Sequence, residues 1–372
     1  MKVLFVCLFT KISSLSDYFY SIVKRSSELL SIQNVGVITS ASLKDKMNFL
    51  NADNLQFINF QKYQLSSWID KERFKAVMLL KKRFNPDYIF FYSENPYHVI
   101  LSYLFNDINQ ALLILDPIPH SQPNLAINLI YEIAKRILIR RSHVIFVACK
   151  EVQNQYRLKY SHINDNVQIM MHGNMETISF VYESNKERYK SLPLKYDFLF
   201  FGRINYYKGI DILLDSFMEV LNKFPNATLC IIGTPGDKKV LKQIYGFMNK
   251  TKNLTFINGY LPDSRLIEFI RNSRCIVMPY RDATGSHTVQ ISNYLGRPVL
   301  ASRVGCFREY IKDGINGITV RPGVVNDLVN AMAGMLSGLY EFNEDSLYDF
   351  AKNEFSNKKI ISALLDYLQR EM

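Results

Sequence analysis

Residues 197–217 read DFLFFGRINYYKGIDILLDSF: an unbroken apolar run, then Gly202-Arg203, four residues, Lys208-Gly209, then a second apolar pattern. An apolar run without polar alternation is a strand buried on both faces. Ile210, Leu213, Leu214 and Phe217 recur at the spacing of one helical face. A buried strand running straight into an amphipathic helix is the unit of a parallel sheet covered on both sides. Gly202 permits a tight exit from the strand, so Arg203 and Lys208 stand at its carboxyl end. The two offer a planar fork and a point charge, a combination suited to phosphate oxygens.

The same alternation fills the chain on both sides of this stretch. VLFVCLF, VGVIT, QFINF, DYIFFY, ALLIL and HVIFVAC precede it; TLCIIG, LTFING, CIVMPY, PVLAS and GITV follow. Between the two series lies MHGNMETISFVYESNKERYKSLPLK (171–195), polar and without apolar periodicity, which reads as an interdomain connection. The expectation is α/β: two tandem Rossmann-like, doubly wound domains, 1–180 and 181–357, facing a cleft into which the carboxyl ends of both sheets open. Chemistry then belongs on the loops that follow strands.

Composition narrows the class. At 372 residues, 48% apolar and 21% charged, the chain is a core-forming globular protein of two or more domains. Its 13% aromatic residues read first as core packing. A net charge of +11, with 20 basic and 13 acidic residues in 1–175, favours anionic partners without choosing among them. The basic residues are scattered and no nucleic-acid-binding motif appears, so no nucleic-acid partner is expected. Cys7, Cys149, Cys230, Cys275 and Cys306 form no C-x-x-C pair, which suits a cytoplasmic setting. The opening MKVLFVCLFTK reads as a first strand rather than a signal peptide, and no apolar run reaches membrane-spanning length. The six His show no metal-ligand spacing and there is no D-x-D string, so no metal and no cofactor is expected. GTPGD (233–237) lacks the Lys-Ser/Thr of a P-loop, and no G-x-G-x-x-G follows the first strand.

The blocks G-R-x-x-x-x-K-G, TLCIIGTPGD, LTFINGYLPDSRLIEFIRNSRCIVMPY, YLGRPVLASRVG and EYIKDGINGITVRPG resemble, in order and spacing, the nucleotide-sugar domain of family 4 glycosyltransferases of the GT-B fold, over about residues 196–335. The resemblance implies a transferase that moves a sugar, with retention and without metal, from a UDP- or GDP-type donor to a glycan or polyprenyl-linked acceptor in bacterial polysaccharide assembly. It assigns the donor diphosphate to Arg203 and Lys208, beside Gly202 and Gly233. In PYRDATGSHTVQISNYLGRPVLAS, a small-residue turn, Ala283-Thr284-Gly285-Ser286, precedes a helix at His287 whose free N–H groups make a backbone anion site. Glu309 matches a family glutamate, although Cys306 stands where Gly is usual. A carboxyl-terminal helix at about 358–372 is implied to cross back onto the first domain.

The sequence departs from the family where two glutamates usually lie eight residues apart, for here those positions are Ala283 and Ile291. Ala283-Thr284-Gly285-Ser286 is nearer to the A-T-Q-S-G-V of a bacterial subgroup. Asp282 is the substitute on offer for the first glutamate, and Gln290 or Asn293 for ribose contact. In the first half, ALLILDPIPHSQPN matches an H-D-P-x-P-H string with Leu115 in place of the first His, which makes Asp116 and His120 catalytic candidates by resemblance. His172 in MHGN has a family counterpart too, with hinge packing as its other reading. The missing glutamates motivate a rival function, a non-catalytic or regulatory nucleotide-sugar-binding protein on the same fold. Residues 125–141 join Leu125, Leu129, Ile133 and Ile137 to Lys135, Arg136, Arg140 and Arg141, and 71–84 add Lys81, Lys82 and Arg83. Both read either as sheet-covering helices or as a peripheral contact with an anionic membrane.

Overall fold

The computed structural model describes residues 1–8, 14–58, 71–118, 125–236 and 238–372. It divides into two units, Met1–Glu176 with Ser356–Met372, and Thr177–Phe355. The first unit holds seven strands: β1 (Val3–Cys7), β2 (Val35–Thr39), β3 (Leu55–Phe57), β4 (Tyr88–Tyr92), β5 (Asn109–Leu113), β6 (Val144–Val147) and β7 (Val167–Ile169). They form one parallel sheet in the order β3-β2-β1-β4-β5-β6-β7. The second holds β8 (Tyr196–Phe201), β9 (Leu229–Ile232), β10 (Leu254–Ile257), β11 (Ser273–Met278), β12 (Val299–Ser302) and β13 (Gly317–Val320), parallel in the order β10-β9-β8-β11-β12-β13. Both orders reverse beside their first strand, at β1/β4 and β8/β11, the switch points where doubly wound sheets bind ligands.

The apolar runs behave as a doubly covered sheet requires. β1, β2 and β4 are buried at every position. Alternate residues Val3, Phe5, Val37, Phe90, Leu113 and Phe146 turn to one face. There they meet Tyr18, Phe19, Ile22 and Val23 of helix Ser14–Leu30, and Ile361, Leu364, Leu365 and Leu368 of helix Asn357–Arg370. The last helix thus packs in the core of the first unit. Its start is fixed by the Asn357 amide, which donates to the Asn174 carbonyl at 2.6 Å and to Glu176 at 3.0 Å. Gly173 makes room for it, because a Cβ there would stand 2.0 Å from Asn357 Oδ1.

The stretch 171–195, within which the two units divide, is helical in part. It contains helices Glu176–Glu183 and Lys186–Lys190, with Ile178, Tyr182 and Tyr189 buried. So few apolar positions, in two short turns, give no periodic signal. His172 packs edge-on against Tyr18, with ring centroids 5.6 Å apart, and burial pushes its pKa down to about 4, so it is neutral near pH 7. Among the described residues no helix is long and apolar enough to cross a membrane.

Candidate active site

Four loops at the carboxyl ends of β8, β9, β11 and β12 carry the residues that the resemblance assigns to a donor, and backbone packing draws these loops together. Gly202 leaves β8 with φ 122° and donates its N–H to the Ile232 carbonyl at 3.0 Å. The next turn is buttoned to the loop after β9: Ile204 N–H reaches Thr234 O at 3.1 Å, and Gly236 N–H returns to Ile204 O at 2.7 Å. At Gly233 a Cβ would lie 1.9 Å from the Gly202 carbonyl oxygen, so only glycine allows these loops to touch. Arg203 is exposed and makes no ion pair or hydrogen bond among the described residues.

Lys208 ends a single helical turn, Tyr206–Lys208, and Gly209 then adopts φ 67° to start helix Ile210–Lys223. A Cβ on Gly209 would stand 2.0 Å from the Pro279 carbonyl oxygen, at the end of β11. This close approach lays the Lys208 ammonium over the Tyr280 ring, 3.8 Å from its centroid. Tyr280 is buried, and desolvation raises its hydroxyl to about 12 although Ser286 and Thr288 hydrogen-bond it.

Residues outside the sequence-derived set, Arg281 and Asp211 among them, hold this turn. Arg281 makes two hydrogen bonds to Asp211, at 2.8 and 2.6 Å, on the first turn of the helix. Its guanidinium lies 4.3 Å from the Tyr206 ring centroid, and its N–H donates to Tyr207 O at 2.8 Å. Burial opposes charge on Asp211, but the Arg281 bonds outweigh it and hold the carboxyl below its ordinary value. Asp211 and Arg281 lie 70 positions apart, so only the fold reveals the pair.

The loop after β11 carries Asp282, Thr284, Gly285, Ser286 and His287 into helix Thr288–Tyr294, all seven of whose residues are buried. The loop after β12 presses on it: a Cβ at Gly305 would lie 1.7 Å from Ala283 O, and Cys306 N–H donates to Thr284 O at 3.3 Å. Ser286 Oγ sits 2.9 Å from Thr288 Oγ1 and accepts the Thr288 N–H at 3.3 Å, so this hydroxyl takes the first N–H of the helix. Glu309 is half-buried in the short helix Phe307–Tyr310 that follows.

At the two departures from the family pattern, Ala283 is 2% and Ile291 6% exposed. Asn293 is unavailable to a ribose. Its amide donates to the carbonyls of Arg297 and Asn316, at 3.1 and 3.0 Å, and its oxygen accepts from Asn316 at 2.8 Å. Gln290 is fully buried as well.

In the first unit, Asp116 follows β5 and is half-buried, while His120 lies outside the described residues. Among the described residues no group of three or more His, Cys, Asp or Glu is arranged to hold a metal ion.

Residues 181–346 match the profile of the family described as Glycosyl transferases group 1. An uncharacterized glycosyltransferase of Methanocaldococcus jannaschii is 29% identical over 164 residues, 43% of each chain. A GDP-mannose:glycolipid 4-beta-D-mannosyltransferase of Xanthomonas campestris is 28% identical over 103 residues, 28% of this chain and 29% of its own. The chain thus spans less than half the length of the curated relatives it matches. In fold the likeness is complete: the Anabaena protein HepE, solved with UDP, superposes over 100% of both chains with a TM-score of 0.75 at 14% identity. The chain thus has the two-sheet GT-B fold of this solved structure, and within it residues 181–346 are similar to the group 1 glycosyl transferases.

Proposed function

We propose that the chain transfers a sugar, with retention and without metal, from a UDP- or GDP-type nucleoside diphosphate donor to a glycan or polyprenyl-linked acceptor in bacterial polysaccharide assembly. The observation that carries this reading is the turn after β8: exposed Arg203 and the ring-held Lys208 stand beside Gly202, where nothing lies within 4 Å of an added Cβ. A diphosphate approaching there meets two cations and uncrowded backbone. The UDP complex of HepE and the GDP-mannose named for the Xanthomonas relative support the donor class. A thermal-shift panel of UDP, GDP and ADP tests it, since a bound nucleotide at about 100 times its dissociation constant adds roughly 2.7 kcal/mol. No shift with any of them refutes the reading.

The buried, apolar Ala283 and Ile291 favour the second reading, a nucleotide-sugar-binding protein without turnover. Release of nucleoside diphosphate from UDP-glucose or GDP-mannose separates the two.

The cellular setting in this proposal is the cytoplasmic face of an anionic membrane. On helix Leu125–Arg141, Leu129 and Ile133 are 60% and 50% exposed, alongside exposed Arg136 and Arg140. Lys82 on helix Lys71–Phe84 is exposed too, whereas four other basic residues of the two helices do different work. Lys135 is buried, Arg141 stacks 3.9 Å from the Tyr103 ring centroid, and Lys81 and Arg83 pair with Asp107 and Asp53. Flotation with acidic vesicles is expected to show binding that falls with salt, and equal binding to neutral vesicles contradicts it.

A further inference from the structure

Three successive residues after β5 have their backbone held by side chains from other elements. The Leu115 and Asp116 N–H groups donate to the two oxygens of Glu94, at 3.2 and 3.3 Å. The Asp116 carbonyl accepts from Lys135 Nζ, which also lies 3.4 Å from the Pro117 carbonyl and 3.5 Å from Glu94 Oε1. The Tyr160 hydroxyl stands 3.2 Å from the same Pro117 oxygen.

The clamp has a rigid foundation. Glu94 follows Ser93, a non-glycine residue at φ 99°. Ser93 is fixed by its N–H to Leu113 O at 3.1 Å and by its carbonyl, which accepts from His98 Nδ1 at 2.9 Å. Burial lowers the His98 pKa to about 4, so the ring is neutral and that nitrogen carries the proton.

Covering the sheet does not require this. Ala134, Leu138 and Ile139 on the same helix are buried and apolar, and an apolar residue at 135 would serve the packing without desolvating an ammonium and a carboxylate. What the pair does is fix the backbone on both sides of the Asp116 Cα, and with it the direction in which the Asp116 carboxylate leaves the chain. We infer that Glu94 and Lys135 are positioning residues that aim Asp116 for sugar transfer. The inference rests on the reading of Asp116 as a catalytic residue.

Two measurements on the full chain test it. In Glu94→Ala, amide exchange at Leu115 and Asp116 is expected to quicken at least tenfold relative to the wild type, and unchanged exchange overturns the clamp. For function, nucleoside diphosphate release from UDP-glucose or GDP-mannose is compared in Lys135→Met, Asp116→Ala and the double variant. Lys135→Met is expected to lower kcat about tenfold to a hundredfold with unchanged affinity for UDP or GDP, whose site lies in the other unit. Lys135→Arg, which keeps charge and donors, restores part of the rate. The double variant is expected to be no slower than Asp116→Ala alone, since both changes remove one function. A merely structural role would lower the melting temperature without that non-additivity. Wild-type kcat in Lys135→Met while Asp116→Ala is impaired overturns this inference alone. Wild-type turnover in Asp116→Ala overturns the reading of Asp116, and this inference with it.

Discussion

Gly209→Ala is expected to damage both the stability of the second unit and its grip on a diphosphate. The backbone at Gly209 has φ 67°, where a residue with a Cβ costs roughly 1–2 kcal/mol. The added carbon would lie 2.0 Å from the Pro279 carbonyl oxygen, against 3.4 Å or more for an ordinary contact. Because that neighbour is backbone, the start of helix Ile210–Lys223 and the end of β11 must part by about 1.4 Å. Strain and clash together are expected to cost about 2–4 kcal/mol, a fall of roughly 5–15 °C in the melting temperature of a unit this size. A displacement near 1 Å in a group that grips its ligand costs about a hundredfold, and Lys208 is the adjoining residue. Thermal unfolding and calorimetry with UDP and GDP measure the two effects. For thermal unfolding Gly202→Ala is the comparison, since nothing in the chain lies within 4 Å of its added Cβ and only the conformational cost at φ 122° applies. Wild-type melting and affinity in Gly209→Ala would refute the close approach as the reason for this glycine.

Ile291→Glu is expected to fail to raise turnover and to destabilise by at least about 2 kcal/mol in thermal unfolding, because it buries an unpaired carboxylate at a site only 6% exposed. Better transfer in that variant would show that the position still faces a donor. With no carboxylate at 283 or 291, a nucleoside diphosphate and its sugar conjugate are expected to bind within about tenfold of each other, a gap of roughly 1.4 kcal/mol. A calorimetric gap of a hundredfold would assign strong sugar contacts to other residues. Acid sensitivity should trace partly to Glu344. Burial raises its pKa, but Arg297 and Arg271 at 2.7 Å outweigh that, and the carboxyl sits below its ordinary value. A depressed native pKa contributes stability above the unfolded carboxylate range, lost as pH falls through the native value. Glu344→Gln is therefore expected to be less stable at pH 7 and to lose less stability on acidification, and parallel pH profiles for the two proteins would contradict this.

The parallel sheets were legible because buried strands show as apolar runs, and each of the twelve runs overlaps a strand. The exception, β7, has only three residues, one of them fully buried, too little for a run to register. The cations of the turn after β8 were legible from their spacing. What holds them was not: Arg281 on Asp211, the Tyr280 ring under Lys208 and the backbone contact at Gly209 join residues that only the fold makes neighbours. Composition does not separate Lys135, which turns inward to Glu94, from the exposed Arg136 and Arg140 of the same helix. Nor does the string Ala283-Thr284-Gly285-Ser286 reveal that the Ser286 hydroxyl accepts the Thr288 N–H.

The affinity of UDP and GDP for the wild type, Arg203→Ala and Lys208→Ala, measured by titration calorimetry at fixed salt, tests whether the two cations hold the donor diphosphate. Each substitution is expected to remove a charge-assisted contact of about 1.5–3 kcal/mol, weakening the better-bound nucleotide roughly 10- to 150-fold. The exposed Arg203→Ala should melt with the wild type. Wild-type affinity in both variants would contradict the assignment of these cations to the donor diphosphate.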